Sequence, residues 1–262
     1  MQKLIVMDLD GTLLDDNREI SIYTKKILDE CMAKGIKLVF ATARPIRATK
    51  IYFSIIKPDA FICHNGANVI VDDKIIVKNG IQKEEYEGIL KIIEEKNISN
   101  HLMIEINDKI YTNFDPNIYW KDIEYENIND MPLIEADKII IGIDGSEKLI
   151  EINKFLPENL YSEKSIGAKG GLLCLIMNKN AVKWNGIKVL SEHFQIDTKD
   201  IIAFGDNEND YEMLKNCGIG IAVDNGTDEA KKISKYICDT NNKDGVAKWI
   251  KKNILEKGQN SV

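Results

Sequence analysis

Five short stretches of the chain, residues 4–7, 38–41, 61–63, 201–204 and 219–223, contain no polar side chain. A strand that is apolar on both faces must be covered on both, which is the situation of strands in a parallel sheet flanked by helices. Segments with helical spacing separate the runs. Ser21 is placed to cap a helix carrying Ile22, Ile27, Leu28 and Met32, Gly35 is placed to stop it, and Pro45 fits the first turn of the next helix. The expected fold is α/β, a doubly wound parallel sheet.

The alternation stops near residue 65 and resumes after Lys183. Asn65-Gly66, Asp72-Asp73 and Asn79-Gly80 mark tight turns between short β segments, so hairpins are expected there. Residues 81–181 then read as α+β, with a helix over 83–96, strands at 102–106, 109–112 and 139–143, a helix over 147–156 and a strand at 172–177. The simplest organisation is one α/β domain, residues 1–80 and 182–262, interrupted by an inserted α+β domain, residues 81–181. A chain of 262 residues accommodates two domains at roughly 100–200 residues each. The polar tail 257–262 reads as disordered.

Composition removes several function classes. Lys and Arg total 35 against 42 Asp and Glu, a net charge of −7, whereas a nucleic-acid binder carries a basic patch. The longest apolar run, 172–177, is far shorter than the ~18 residues of a membrane span, and Asp8 cuts off the apolar start before it resembles a secretory signal. Five scattered cysteines form no C-x-x-C pair, which reads as reduced thiols in a cytoplasmic protein. With only three histidines, carboxylates would have to hold any metal. The negative charge is uneven: residues 81–181 carry 11 basic and 19 acidic side chains, the remainder 24 and 23.

Four polar segments stand beside the apolar runs. Asp8-Leu9-Asp10-Gly11-Thr12 follows the first run, at the carboxyl end of a strand where open α/β sheets bind ligands. Strand alternation puts Asp8 and Asp10 on one side, a pair suited to a hard cation such as Mg²⁺, and Gly11 permits a sharp turn towards an anion. Gly205-Asp206-Asn207-Glu208-Asn209-Asp210 follows the fourth run in the same way. Ala41-Thr42-Ala43-Arg44 leads into a helix start, an anion-binding arrangement, and Lys183 begins the helix that returns to the core. Each segment alone has a plainer reading: a solvated turn, a helix cap, a surface lysine. A calcium loop counted from Asp8 would place Glu19 at its twelfth position, but its glycine falls at the fourth position and a strand precedes it.

Taken together and in order, the four segments resemble the haloacid dehalogenase superfamily, and in particular its Cof-type phosphatases with a large inserted cap of type IIB. The resemblance covers nearly the whole chain. It implies that Asp8 is a nucleophile forming an aspartyl-phosphate and that Asp10 is the general acid and base. It implies phosphate binding by Thr42, the N–H groups at Ala43, Lys183 and Asn209, and Mg²⁺ held by Asp8, Asp206 and the backbone carbonyl of Asp10, with Asp210 orienting the metal shell. Arg44, His64 and Asn65 are candidates for substrate contact. Ala43 and Trp184 stand where glycine is usual, and Val223 and Gly226 are milder departures; none removes a chemical group from this scheme.

The expected activity is Mg²⁺-dependent hydrolysis of small soluble phosphomonoesters, such as a sugar phosphate or a phosphorylated cofactor. A phosphomutase or phosphotransferase would use the same nucleophile. A signalling receiver also clusters Asp, Thr and Lys on a parallel sheet, but it leaves Asp10 without a role and the insertion unexplained. Neither nucleic acid nor membrane is an expected partner, and the oligomeric state is open between a monomer and a weak dimer. An acidic insertion would disfavour leaving groups that carry several negative charges.

Overall fold

The structure, a computed structural model, describes residues 3–256; the tail read as disordered from the sequence lies outside them. In chain order the elements are β1 (Leu4–Met7), α1 (Ile22–Ala33), β2 (Lys37–Ala41), α2 (Ile46–Phe53), β3 (Ala60–Cys63), β4 (Asn68–Val71) and β5 (Lys74–Lys78). There follow α3 (Lys83–Glu95), β6 (Leu102–Ile106), β7 (Lys109–Thr112), β8 (Glu126–Asn127), β9 (Lys138–Ile143), α4 (Ser146–Asn153), β10 (Leu160–Ile166) and β11 (Leu172–Asn178). The chain closes with α5 (Lys183–Phe194), β12 (Ile201–Gly205), α6 (Tyr211–Asn216), β13 (Ile219–Val223), α7 (Asp228–Ile233), β14 (Tyr236–Cys238) and α8 (Gly245–Ile250). Two compact units result. One runs up to Val77 and resumes at Val182, and the other is Lys78–Ala181, beginning three residues before the limit read from the sequence.

In the first unit eight strands lie in the order β14-β13-β12-β1-β2-β3-β4-β5. β1 pairs in parallel with both β2 and β12, so strand order reverses around it and its carboxyl end is the switch point where such sheets bind ligands. Alternation divides the apolar runs between two faces. Ile5, Met7, Leu38 and Phe40 pack in one cluster with Leu28 of α1, Tyr52 of α2 and Val246 of α8; Leu4, Val6, Val39 and Ala41 pack in another with Ile187 and Leu190 of α5. All four residues of β1 are fully buried. β4 turns back antiparallel to β3, and the Asp72-Asp73 turn that follows takes positive φ at both residues, as an expected hairpin requires.

Gly66 closes the loop after β3 with φ +119°, and a Cβ there would lie 2.4 Å from the Val182 carbonyl oxygen, so only glycine lets the start of α5 approach. The second unit is a six-stranded sheet in the order β10-β11-β9-β6-β7-β8, with α3 and α4 on one face. Ile89, Ile93 and Ile152 of those helices pack on Ile104, Ile139 and Ile141 of the sheet.

The Ser21 side chain caps α1 by accepting from the Thr24 N–H, as its position predicts. Ile22 is 90% exposed, however, and the inward stripe is Thr24, Ile27, Leu28 and Cys31. Pro45 is the N-cap of α2 and precedes its first turn. The short or outer strands β8, β10 and β14 were not expected from the sequence.

Candidate active site

At the end of β1 the chain leaves the extended path. The Leu9 carbonyl accepts from the N–H groups of Thr12, Leu13 and Leu14, folding residues 9–14 into a compact turn. Strand alternation therefore ends before Asp10, and the two aspartates of the motif part company. Asp8 is buried at 4% exposure, whereas the Asp10 side chain remains 48% exposed and lies in a bidentate pair with Arg44. The expectation that both carboxylates face one cation is not met by these side chains.

The Asp8 carboxylate meets the loop after β12 instead. Lys183 Nζ, fully buried at the start of α5, lies 2.5 Å from Asp8 Oδ1 and 2.7 Å from Asp210 Oδ1. Asp210 Oδ2 accepts from the N–H groups of Asp206 (2.9 Å) and Asn207 (3.2 Å), which fixes the loop carrying Asp206. Thr12 Oγ1 donates to Asp206 Oδ1 at 2.9 Å. Gly11, at φ +80°, lies so close that a Cβ would come 2.8 Å from Asp206 Oδ2. Asn225 Nδ2, in the turn after β13, donates to the Gly11 carbonyl at 2.7 Å and holds the same segment.

Oxygen atoms of Asp8, Asp206 and Asp210 all lie within 4.8 Å of one another. Burial pushes Asp8 well above the usual carboxylate range; Lys183 opposes this, and Asp210 and Asp206 reinforce it. Burial would lower Lys183, yet Asp210 and Asp8 together hold it above its ordinary value, so the lysine stays charged. Asp206 is raised by burial and by Asp210, against the Thr12 hydroxyl. Three carboxylates thus share one ammonium, and the buried Asp8 Oδ2 has no hydrogen-bond partner among the described residues. An all-oxygen donor set with an unsatisfied buried carboxylate oxygen fits a hard divalent cation.

Thr42 is buried, its hydroxyl accepts from the Arg44 N–H at 3.1 Å, and Ala43 beside it is exposed. Asn209 Nδ2 donates to Asn65 Oδ1 at 3.0 Å, joining two nominated residues 144 apart. The buried His64 donates its backbone N–H to the Arg44 carbonyl. Arg44 is engaged with Asp10. Thr12 was not nominated, and its one signal was its place beside the two aspartates.

A doubly wound sheet whose switch point holds clustered carboxylates and a buried lysine, interrupted by an α+β insertion, defines a class of hydrolase. The chain belongs to the haloacid dehalogenase-like hydrolases, whose family model matches residues 5–250, and to their Cof-type phosphatase branch. It is 28% identical over 261 residues to the 5-amino-6-(5-phospho-D-ribitylamino)uracil phosphatase YcsE of Bacillus subtilis, covering 97% of this chain and 96% of that one. It is 25% identical over 257 residues to a phosphoglycolate phosphatase of Methanopyrus kandleri, covering 98% and 99%. A solved haloacid dehalogenase-like hydrolase from Bacteroides thetaiotaomicron superposes with a TM-score of 0.82 at 25% identity, covering 96% of this chain and 99% of that one.

Proposed function

We propose that the protein is a Mg²⁺-dependent phosphomonoesterase that works through an aspartyl-phosphate on Asp8. The observation that carries this reading is the state of Asp8: one carboxylate oxygen lies 2.5 Å from a buried lysine, and the other is buried with no hydrogen-bond partner among the described residues. A carboxylate and a phosphate repel each other, so attack needs positive charge between them. Mg²⁺, held by Asp8, Asp206 and the Asp10 carbonyl with Asp210 orienting the shell, would supply that charge and polarise the phosphoryl oxygens.

The chain's own groups do the rest. Asp8 attacks phosphorus and the bond from phosphorus to the ester oxygen breaks, while Asp10 gives that oxygen a proton. Asp10 then takes a proton from water as the water attacks the aspartyl-phosphate, releasing phosphate and restoring Asp8. Thr42, the N–H groups at Ala43, Lys183 and Asn209 hold the non-bridging oxygens. The insertion selects the leaving group, and the substrates are small soluble phosphates. The phosphorylated ribitylaminouracil and phosphoglycolate for which two relatives are named are of that kind.

Hydrolysis of p-nitrophenyl phosphate with and without Mg²⁺ tests this directly. Activity should vanish with EDTA, return with Mg²⁺, and be abolished by Asp8→Asn in a folded protein. Metal-free turnover, or turnover by the Asn variant, would refute the mechanism.

A further inference from the structure

The role proposed for Asp10 requires its carboxyl group to sit in one place, yet the side chain is 48% exposed on a turn. What fixes it is Arg44. Nε of Arg44 donates to Asp10 Oδ2 at 2.6 Å and Nη2 donates to Oδ1 at 2.5 Å, a two-point grip that sets direction as well as distance. The guanidinium is itself held from behind. Nη1 donates to Tyr52 Oη at 3.1 Å and to the Ala48 carbonyl at 3.3 Å, and the group lies 5.4 Å from the centre of the Tyr52 ring. Tyr52 is 1% exposed, and its hydroxyl donates to the Arg18 carbonyl at 3.1 Å, tying this post to the loop that follows the Asp8 turn.

We infer that Arg44 and Tyr52 are positioning residues that aim the Asp10 carboxyl group, and that Arg44 acts through Asp10 instead of reading the substrate. The inference rests on the reading of Asp10 as the acid and base. The geometry favours it because the fork is committed to Asp10 and to a buried tyrosine, a precise arrangement for a surface ion pair that adds little to stability. Lysine cannot reproduce a bidentate grip, so keeping only the charge should not restore function.

The test compares wild type with Asp10→Asn, Arg44→Ala, Arg44→Lys and Tyr52→Phe, and with each Arg44 and Tyr52 change placed on Asp10→Asn, all with Mg²⁺ present. Two esters are used: p-nitrophenyl phosphate, whose leaving group needs no proton, and glycerol phosphate, whose leaving group does. Arg44→Ala and Arg44→Lys should cut kcat on glycerol phosphate by about tenfold to a hundredfold, the scale of ångström-level misplacement, with a smaller loss on the aryl ester and KM held. Tyr52→Phe should give a weaker loss of the same form, and none of these changes should lower activity further once Asp10 is Asn. A raised KM with kcat kept, equal losses on both esters, or additive losses on the Asp10→Asn background would overturn the inference. Absence of Mg²⁺-dependent turnover in wild type, or an Asp10→Asn variant indifferent to leaving group, would instead overturn the reading beneath it.

Discussion

Asp8 titrates in a setting that favours its neutral form while metal is absent. Burial raises its pKa well above that of an ordinary carboxylate, and Asp206 is raised in the same way. For an acid raised on folding, the native state holds more protons than the unfolded chain above the ordinary pKa. Metal-free stability therefore falls as pH rises from about 4 through the raised values. A cation that replaces the proton gains what the proton loses, so the melting-temperature rise caused by Mg²⁺ should be larger at about pH 8 than at about pH 5. Thermal melts at the two pH values measure it, and an increment that does not change with pH would count against a metal at these carboxylates. Asp8, Lys183 and Asp206 were legible because each follows or begins an element that the apolar pattern defines. The turn that separates Asp10 from Asp8 was not, because it depends on three N–H groups converging on the Leu9 carbonyl, which no residue pattern announces. The pairing of Asp10 with Arg44 spans 34 residues and was equally invisible.

At the level of elements, the strands that could be read are those buried on both faces. β10 could not be read: Leu160–Ile166 has the sequence LYSEKSI, forms one edge of its sheet, and is only partly covered, so polar side chains break the signal. β14, three residues at an edge of the eight-stranded sheet, and β8, with two, are too short for any period to show. Helix starts were legible where a side chain caps them, as Ser21 does, but one exposed isoleucine on α1 is beyond what spacing alone can assign. The junction of β3 with α5 gives a prediction of its own. Gly66→Ala places a Cβ 2.4 Å from the Val182 carbonyl oxygen in a backbone region hostile to side chains. It should destabilise the protein by about 1–3 kcal/mol, read as a lower melting temperature. It should also reduce turnover, because Lys183 follows Val182 directly. A variant as stable and active as wild type would show that this approach is not tight.

Across the whole molecule, charge is divided between the two units. Residues 81–181 carry 11 basic and 19 acidic side chains, while the rest is close to balance with 24 and 23. If the insertion selects the leaving group, its field should favour neutral or cationic alcohols over nucleoside diphosphates. Ranking a broad set of phosphate metabolites by kcat/KM measures this, and a preference for nucleotides or bisphosphates would end the idea.

The pairing of β1 with β12 also dictates a timetable. Leu4 lies beside Ile201, so the first strand acquires one of its two neighbours only after some two hundred residues have been made. The insertion is complete in the chain before that, at Ala181, and its sheet draws on no strand outside its own residues. On the ribosome, the interrupting unit can therefore reach its native sheet while the unit it interrupts is still waiting. Asp8 then emerges among the first residues and stays without Lys183, Asp206 and Asp210 until the last third of the chain is out. A stalled or truncated chain would hold Asp8 early and never bring together the carboxylates and lysine that surround it in the finished fold.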